Sequence, residues 1–430
     1  MCLSVIFLYV IIYTSKEKRK ENVVDIKNYA LNSTPQMEEQ INEIANSKAF
    51  KNDKIRIMPD GHAGKGCVVG TTIKYSDKIV PNIVGVDIAC RVSLVELNIK
   101  QDNITDDFLR DLDNVIHNYV PSGKNVHNTL VNSGIDYTQL RCYDAIADRV
   151  EYFERSLGTL GSGNHYLELD ASFNHKSVML SVHCGSRNLG VQVCNYYQKK
   201  AIEAKNKRIE YIKDFYNGII SNRKHAGYTD DIQNLIEERN YNISLEPVDD
   251  LCYLEGQDME DYLNDMDFCN SWSYNNHRII MQNIMSGMRE NGYGDLRITE
   301  TYSCIHNYVD TKEGYIRKGA IDASAGKLCI IPLNMRDGIL LAIGRGNEDW
   351  NCSAPHGAGR IMSRAEARKN LNLDDYKEKM IDVYTTCVNS STIDEAPEAY
   401  KDASEIEEAI KDTCIIIDHL YPIYNFKASD

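Results

Sequence analysis

From residue 23 onward, apolar positions alternate between compact runs that suit strands and spaced sets that suit helices, with no internal repeat and no Pro- or Gly-rich linker. Thr34 followed by Pro35 is a cap and first-turn signal. Met37, Ile41, Ile44 and Ala45 then recur at helical spacing, predicting a helix that ends near Phe50. Residues 93–99 and 178–183 read as strands, and residues 327–332 and 339–343 flank Asp337-Gly338, a hairpin signal. Long helices are predicted over 193–216 and 259–288. Ser363-x-x-Glu366 and Ser404-x-x-Glu407 are capping boxes that would start two further helices near the C-terminus. The expectation is an α+β fold, a single large domain over 23–430 with a mixed β-sheet core surrounded by helices and a charged helical excursion at about 193–290.

Composition fits this picture: 43% of the 430 residues are hydrophobic and 26% charged, with 26 Gly and 9 Pro, which excludes a collagen-like or mostly disordered chain. With 48 basic against 63 acidic side chains the net charge is −15, so any phosphate-binding site must be local. Residues 229–267 carry thirteen Asp/Glu and one basic residue, Arg239, while residues 199–224 carry eight Lys/Arg against three acids. Adjoining blocks of opposite sign read as solvated helices whose arms attract each other. The thirteen cysteines are odd in number and show no framework spacing, which points to free or metal-bound thiols in a reducing, cytoplasmic setting. Residues 2–13 are apolar and precede a basic run at 16–20, but the stretch is too short to span a bilayer and lacks a cleavage-site pattern. Residues 1–22 are read as a hydrophobic and basic N-terminal extension.

Four Gly-rich segments interrupt this background: MPDGHAGKGCVVG (58–70), GVDIACR (85–91), LGTLGSGNHYLE (157–168) and SAPHGAGRIMSR (353–364). Each sets His, Asp or Cys beside glycine, which lets backbone approach a ligand closely. Of the eleven histidines, His165, His183, His306 and His356 sit at the ends of apolar runs or in a Gly turn, where imidazoles can be aimed into a shared pocket. Asp87 and Cys90 add a carboxylate and a thiol three residues apart. A thiolate can bridge two metals, so these donors suffice for two divalent ions sharing Cys90, and ligand type alone favours zinc as readily as manganese.

These segments resemble the RtcB-type RNA-splicing ligases, through MPDGHAGKG, GVDIAC, GSGNH, SVHCGSR, CIHN, SAPHGAGRIMSR, DEAPEAYKD (394–402) and a closing lysine, in family order over about 23–427. The resemblance implies an RtcB-like fold and a ligase that uses GTP and two Mn2+ ions to join RNA ending in a 3′-phosphate or 2′,3′-cyclic phosphate to RNA bearing a 5′-hydroxyl. His356 matches the guanylylated histidine, which takes GMP from GTP before passing it to the RNA 3′-phosphate, giving an RNA(3′)pp(5′)G end. It further implies Asp87, Cys90 and His165 at one ion and Cys90, His183 and His306 at the other. Asn164, Glu168, Asn334, Gly357, Ala358, Gly359, Arg364, Tyr400 and Lys427 match nucleotide contacts, with Glu168 at the guanine. Arg187 suits an RNA-terminal phosphate through paired hydrogen bonds. Asp60 and His62 are expected to hold the metal loop rather than to take part in chemistry. An archease-like activator is a further implied partner, and the function classes are RNA repair or tRNA splicing.

The chain departs from the family pattern at Ala89 and Arg91, where glycines commonly flank the bridging cysteine, at Pro332-Leu333 in place of Pro-Gly, and at Asn276-His277 in place of Asn-Arg. The last of these puts an RNA or phosphate contact in question. Two rival readings use the same residues: a dinuclear metal-dependent phosphatase or nuclease acting on RNA ends, and a catalytically silent RNA-end binder.

Overall fold

The computed structural model describes residues 24–51 and 53–428. The expected N-terminal extension lies outside the described residues. Fourteen strands follow one another in these residues: β1 (Asp25–Asn28), β2 (Lys54–His62), β3 (Val69–Lys74), β4 (Arg91–Lys100), β5 (Tyr166–Ser172), β6 (Ser177–Cys184) and β7 (Ile298–Ile305) in the first part. The second part holds β8 (Asn307–Asp310), β9 (Tyr315–Lys318), β10 (Ala320–Asp322), β11 (Leu328–Pro332), β12 (Ile339–Gly344), β13 (Ser353–Pro355) and β14 (Cys414–Lys427). They form a seven-stranded sheet in the order β11-β12-β14-β5-β6-β4-β7, a five-stranded sheet β1-β2-β3-β9-β8, and a ribbon β10-β13. Only the β1–β2 pairing is parallel, so the architecture is mixed, as expected from the sequence.

Both faces are covered at β5 and β6, which are buried along almost their whole length, whereas the edge strand β7 is largely exposed. Along β4, Val92 and Leu94 join one core cluster while Val95 and Leu97 join another on the opposite face. That second cluster is closed by Phe108, Leu112 and Ile116 of helix α2 (Asp106–Tyr119) and by Ile280, Ile284 and Met288 of a long C-terminal helix of the excursion. Helix α1 (Pro35–Asn46) has the predicted cap, with Thr34 Oγ1 accepting from the Met37 N–H at 3.2 Å. It stops at Asn46, and residues 48–50 continue as a 3-10 turn.

The excursion consists of α3 (Arg187–His225), α4 (Ile232–Ser244) and α5 (Gly256–Glu290), so the first long helix begins six residues before the apolar spacing predicted and the second begins three before. At 1.5 Å per residue α3 is about 58 Å long. The opposite charges of the two blocks do meet: Lys200 pairs with Asp258 at 2.6 Å, Arg208 with Glu246 at 2.9 Å, Arg223 with Asp231 at 3.2 Å, and Lys205 with Asp249. The hairpin β11–β12 and the Ser363–Glu366 capping box form as predicted. The Ser404 box does not. Asp402, two residues earlier, caps the helix Ala403–Ala409 instead, its side chain accepting from the Ser404 N–H at 2.9 Å in an Asx turn. No helix among the described residues is long and apolar enough to cross a membrane.

Candidate functional site

Antiparallel neighbours in a sheet bring the start of one strand beside the end of the next, and this register builds the site. Arg91 at the head of β4 is paired with Cys184 at the end of β6 and with Ile305 at the end of β7, and Tyr166 at the head of β5 is paired with His183. Asp87 and Cys90 on the loop before β4, His165 just before β5, His183 on β6 and His306 just after β7 therefore converge at one sheet edge. Cys90 Sγ lies 3.3 Å from His183 Nε2 and 3.7 Å from His165 Nε2. His183 Nε2 lies 3.3 Å from His306 Nε2, and His165 Nε2 lies 3.3 Å from Asp87 Oδ2.

These atoms form two donor sets, Asp87/Cys90/His165 and Cys90/His183/His306, in each of which the ligand atoms lie within 4.8 Å of one another, and Cys90 belongs to both. One oxygen, one sulfur and three nitrogens, all aimed inward, fit two divalent cations sharing a thiolate. Second contacts orient the donors: His165 Nδ1–H donates to the Leu160 carbonyl at 3.0 Å, leaving Nε2 free to ligate. Burial, with Asp87 beside it, pushes the Cys90 thiol up, and burial holds His183 and His306 well below the ordinary imidazole range. Burial also opposes charge on Asp87, but the hydrogen bond and charge of His165, the hydrogen bond with Cys90 and the charge of His306 together outweigh it and hold the carboxyl down. Neutral imidazoles and an ionised carboxylate are the forms that bind metal.

The donor sets open into a cleft of about 390 Å³. A row of imidazoles leads from the donor sets into the cleft, with ring centroids 5.5 Å apart from His165 to His183, 5.1 Å to His306 and 4.9 Å to His356. His356 follows β13, and its Nδ1–H donates to Asp60 Oδ2 at 2.7 Å. Asp60 is fully buried and was expected only to hold the metal loop; instead it grips the histidine at the far end of the row. Farther along the cleft, β5 and β14 set Glu168 opposite Asn425, whose side-chain amide donates to the Glu168 carboxylate. Burial, then the neighbouring Asp170, raises Glu168 well above the usual carboxylate range. Lys427 donates to Glu395 Oε2 at 2.5 Å and Tyr400 donates to the same oxygen at 2.6 Å. Arg360 and Arg364 close on Glu395 Oε1 at 3.2 and 2.5 Å. Lys427, Arg364 and Arg360 outweigh burial and hold the Glu395 carboxyl at about 2. The cations Arg360, Arg364 and Lys427 thus line the same cleft as the metal-ligand set, and His356 lies beside His306 of that set.

The model of the tRNA-splicing ligase RtcB family matches residues 40–428. This chain belongs to that family. RNA-splicing ligase RtcB of Escherichia coli (strain K12) is 28% identical over 395 residues, covering 84% of this chain and 87% of its own length. The tRNA-splicing ligase RtcB of Aeropyrum pernix is 24% identical over 432 residues, with 82% and 83% covered. The RtcB homolog 1 of Entamoeba histolytica is 25% identical over 433 residues, with 82% and 76% covered.

Of the residues singled out in the sequence, Asp87, Cys90, His183, His306 and His356 line the cleft, as do Asn164, Glu168, Asn334, Gly357, Ala358, Gly359, Arg364, Tyr400 and Lys427. His165 is not part of the cleft lining and belongs to the Asp87/Cys90/His165 donor set. Arg187 is not part of the cleft lining; its guanidinium donates to Thr159 Oγ1 at 3.2 Å and to the Gly123 carbonyl at 3.0 Å. It presses on Gly161, where an added Cβ would stand 1.8 Å from Nη1. Asn334 is engaged in its own turn, accepting from the Arg336 and Asp337 N–H groups at 3.0 and 2.9 Å.

The departures from the family pattern are absorbed locally. Ala89 adopts φ +59°, the left-handed conformation that glycine takes without cost, and its N–H donates to the Asn307 carbonyl at 2.8 Å. Arg91 turns toward α5, donating to the Asn270 carbonyl at 3.0 Å. Leu333 is buried in the core, and His277 is buried with Nε2–H donating to the Cys184 carbonyl at 2.9 Å, held down at about 3 by burial. Residue 277 is thus an interior position, bonded to the strand end that carries His183. Sequence reasoning missed Asn425, Glu395 and the task of Asp60. Asn425 lies two residues before Lys427, so the period of a strand places both on one face. Glu395 and Asp60 were inside quoted motifs, but nothing in a linear motif says which cation or ring a carboxylate will meet.

Proposed function

We propose that the chain is a GTP- and Mn2+-dependent 3′-phosphate/5′-hydroxyl RNA ligase, working through a covalent His356–GMP intermediate. The observation that carries this reading is His356 pinned through Nδ1 to a buried carboxylate, with the ring beside a dinuclear donor set. Asp60 fixes the tautomer in which Nε2 keeps its lone pair and offsets the positive charge that the ring acquires on attack. Nε2 bonds to the α-phosphorus of GTP as the bond to pyrophosphate breaks. An oxygen of the RNA 3′-phosphate then displaces the histidine, and finally the 5′-hydroxyl of the second RNA attacks the activated end, releasing GMP. A 2′,3′-cyclic end requires opening by water beforehand.

Asp87, Cys90 and His165 would hold one manganese and Cys90, His183 and His306 the other. Bound there, the two ions would neutralise charge on phosphate oxygens. Glu168, braced by Asn425, offers its carboxyl group to the guanine, while Lys427 and Arg364 supply positive charge from the Glu395 cluster. Gly357, Ala358 and Gly359 let the backbone approach the phosphates, and Asn164, Asn334 and Tyr400 complete the nucleotide contacts. Arg187, next to the His165 turn, is assigned to the RNA-terminal phosphate. RNA ends from repair or tRNA splicing in the cytoplasm are the substrates this assigns, with an archease-like activator as a further partner.

A dinuclear hydrolase would use the same metal ligands but leaves the His356–Asp60 pair without a task. Incubation with a 5′-hydroxyl RNA and a 3′-phosphate RNA separates the two. Joined product that requires both GTP and Mn2+ is expected, whereas cleavage or phosphate release that ignores GTP would establish the hydrolase instead.

A further inference from the structure

Strand β2 pairs with β3 through Ile57 and Thr71 and again through His62 and Val69, so residues 58–61 bulge out against the single residue Gly70. Asp60 stands on this bulge, and the sheet ladder does not fix it there. Something else must. The Lys401 ammonium, only 2% exposed, donates to the Pro59 carbonyl at 2.8 Å and to the Gly61 carbonyl at 3.0 Å, bridging the residues on either side of Asp60. The Lys401 backbone N–H donates to the Gly359 carbonyl at 3.0 Å, three residues beyond His356. Gly359 in turn lies so close to the bulge that an added Cβ would stand 2.2 Å from the Asp60 carbonyl oxygen.

One residue therefore ties together the strand carrying Asp60, through its ammonium, and the loop carrying His356, through its backbone N–H. Burying a lysine is costly unless its charge and donors are answered. Here two carbonyls answer them, and the Asp60 carboxylate, whose Oδ1 has no hydrogen-bond partner, adds an opposite charge nearby. A sheet or a hydrophobic contact could have closed the same gap without a buried charge. The choice of an ammonium suits a bulge whose carboxylate must stay in one place.

We propose that Lys401 is a positioning residue: by clamping the carbonyls of Pro59 and Gly61 it fixes Asp60 and, through Asp60, the orientation of the His356 ring. This rests on the reading of His356 as the nucleophile. Lys401→Met keeps the length of the side chain and removes its donors. In single-turnover reaction with GTP and Mn2+, the variant loses roughly 10- to 100-fold in the rate constant for GMP-adduct formation. The GTP concentration giving half-maximal rate is unchanged, and Lys401→Arg restores most of the rate. Acting through Asp60, Lys401→Met adds nothing further to Asp60→Asn, whereas independent structural damage would multiply.

Crystal structures supply a readout that needs no GTP. The 2.7 Å contact between His356 Nδ1 and Asp60 Oδ2 is expected to open beyond 3.5 Å in Lys401→Met and to persist in Lys401→Arg. Should Lys401→Met fail to fold, Lys401→Gln, which retains an amide donor, takes its place in both measurements. An unchanged rate constant, multiplicative effects in the double variant, or an intact contact in the crystal overturns the proposal. If the wild-type protein forms no adduct, the nucleophile assignment falls, and the crystallographic distance still decides what Lys401 does.

Discussion

Replacing Glu395 by Gln removes the charge around which one wall of the cleft is assembled. Its carboxylate accepts from Lys427 and Tyr400 through one oxygen and from Arg360 and Arg364 through the other, and the Glu395 and Lys427 side chains are only 4% and 5% exposed. With the carboxyl held at about 2 against an ordinary 4.5, and about 1.4 kcal/mol for each tenfold change in proton affinity, the charged form contributes roughly 3 kcal/mol to folding. Removing one partner of a buried ion pair and stranding the other costs about 3–5 kcal/mol, which agrees. Because the folded-state value is depressed, this contribution is complete above pH 4.5 and is lost as the pH falls from there toward 2. Urea denaturation followed by circular dichroism should show Glu395→Gln about 3 kcal/mol less stable than wild type at pH 7, with the gap closing in acid. A loss below about 1 kcal/mol at pH 7, or a gap that does not depend on pH, would refute the reasoning.

Three further outcomes are expected. An added Cβ at Gly185 would stand 1.9 Å from Asp87 Oδ1. Gly185→Ala should therefore push that carboxylate aside and, by titration calorimetry, weaken one of two manganese sites at least about tenfold while sparing the other. Ala89→Gly relieves a left-handed alanine and should raise stability by about 1 kcal/mol in the same urea assay. Since burial keeps the Cys90 thiol protonated, manganese uptake should release a proton and tighten as the pH rises, by about tenfold per pH unit for one proton. Calorimetry in buffers of different ionisation enthalpy measures that proton directly, and Cys90→Ser should reduce its release by about one proton.

Much of this arrangement was legible in the chain before any fold was known. The strand rhythm around Val92–Leu97 and Val178–Val182 marked two strands of the large sheet that are buried on both faces, and Gly-flanked His, Asp and Cys marked the candidate site. Helix ends were harder. At α3 the first turn carries Arg187 and Asn188, polar residues at the site edge whose placement apolar spacing does not report. At Ser404 two capping patterns overlapped, and local geometry chose Asp402. Long-range charge partners were the least readable: Asp60 and His356 are 296 residues apart and Glu395 and Lys427 are 32 apart, and only the folded chain brings them together.

The central claim is that one ring nitrogen of His356 becomes bonded to phosphorus. Incubation with GTP and Mn2+ without RNA, followed by proteolysis and tandem mass spectrometry under conditions that preserve phosphoramidates, locates the nucleotide directly. The account predicts GMP on His356, absent from the His356→Ala protein and strongly reduced in Asp60→Asn. GMP on a lysine, or none on either protein while RNA joining proceeds, would contradict it.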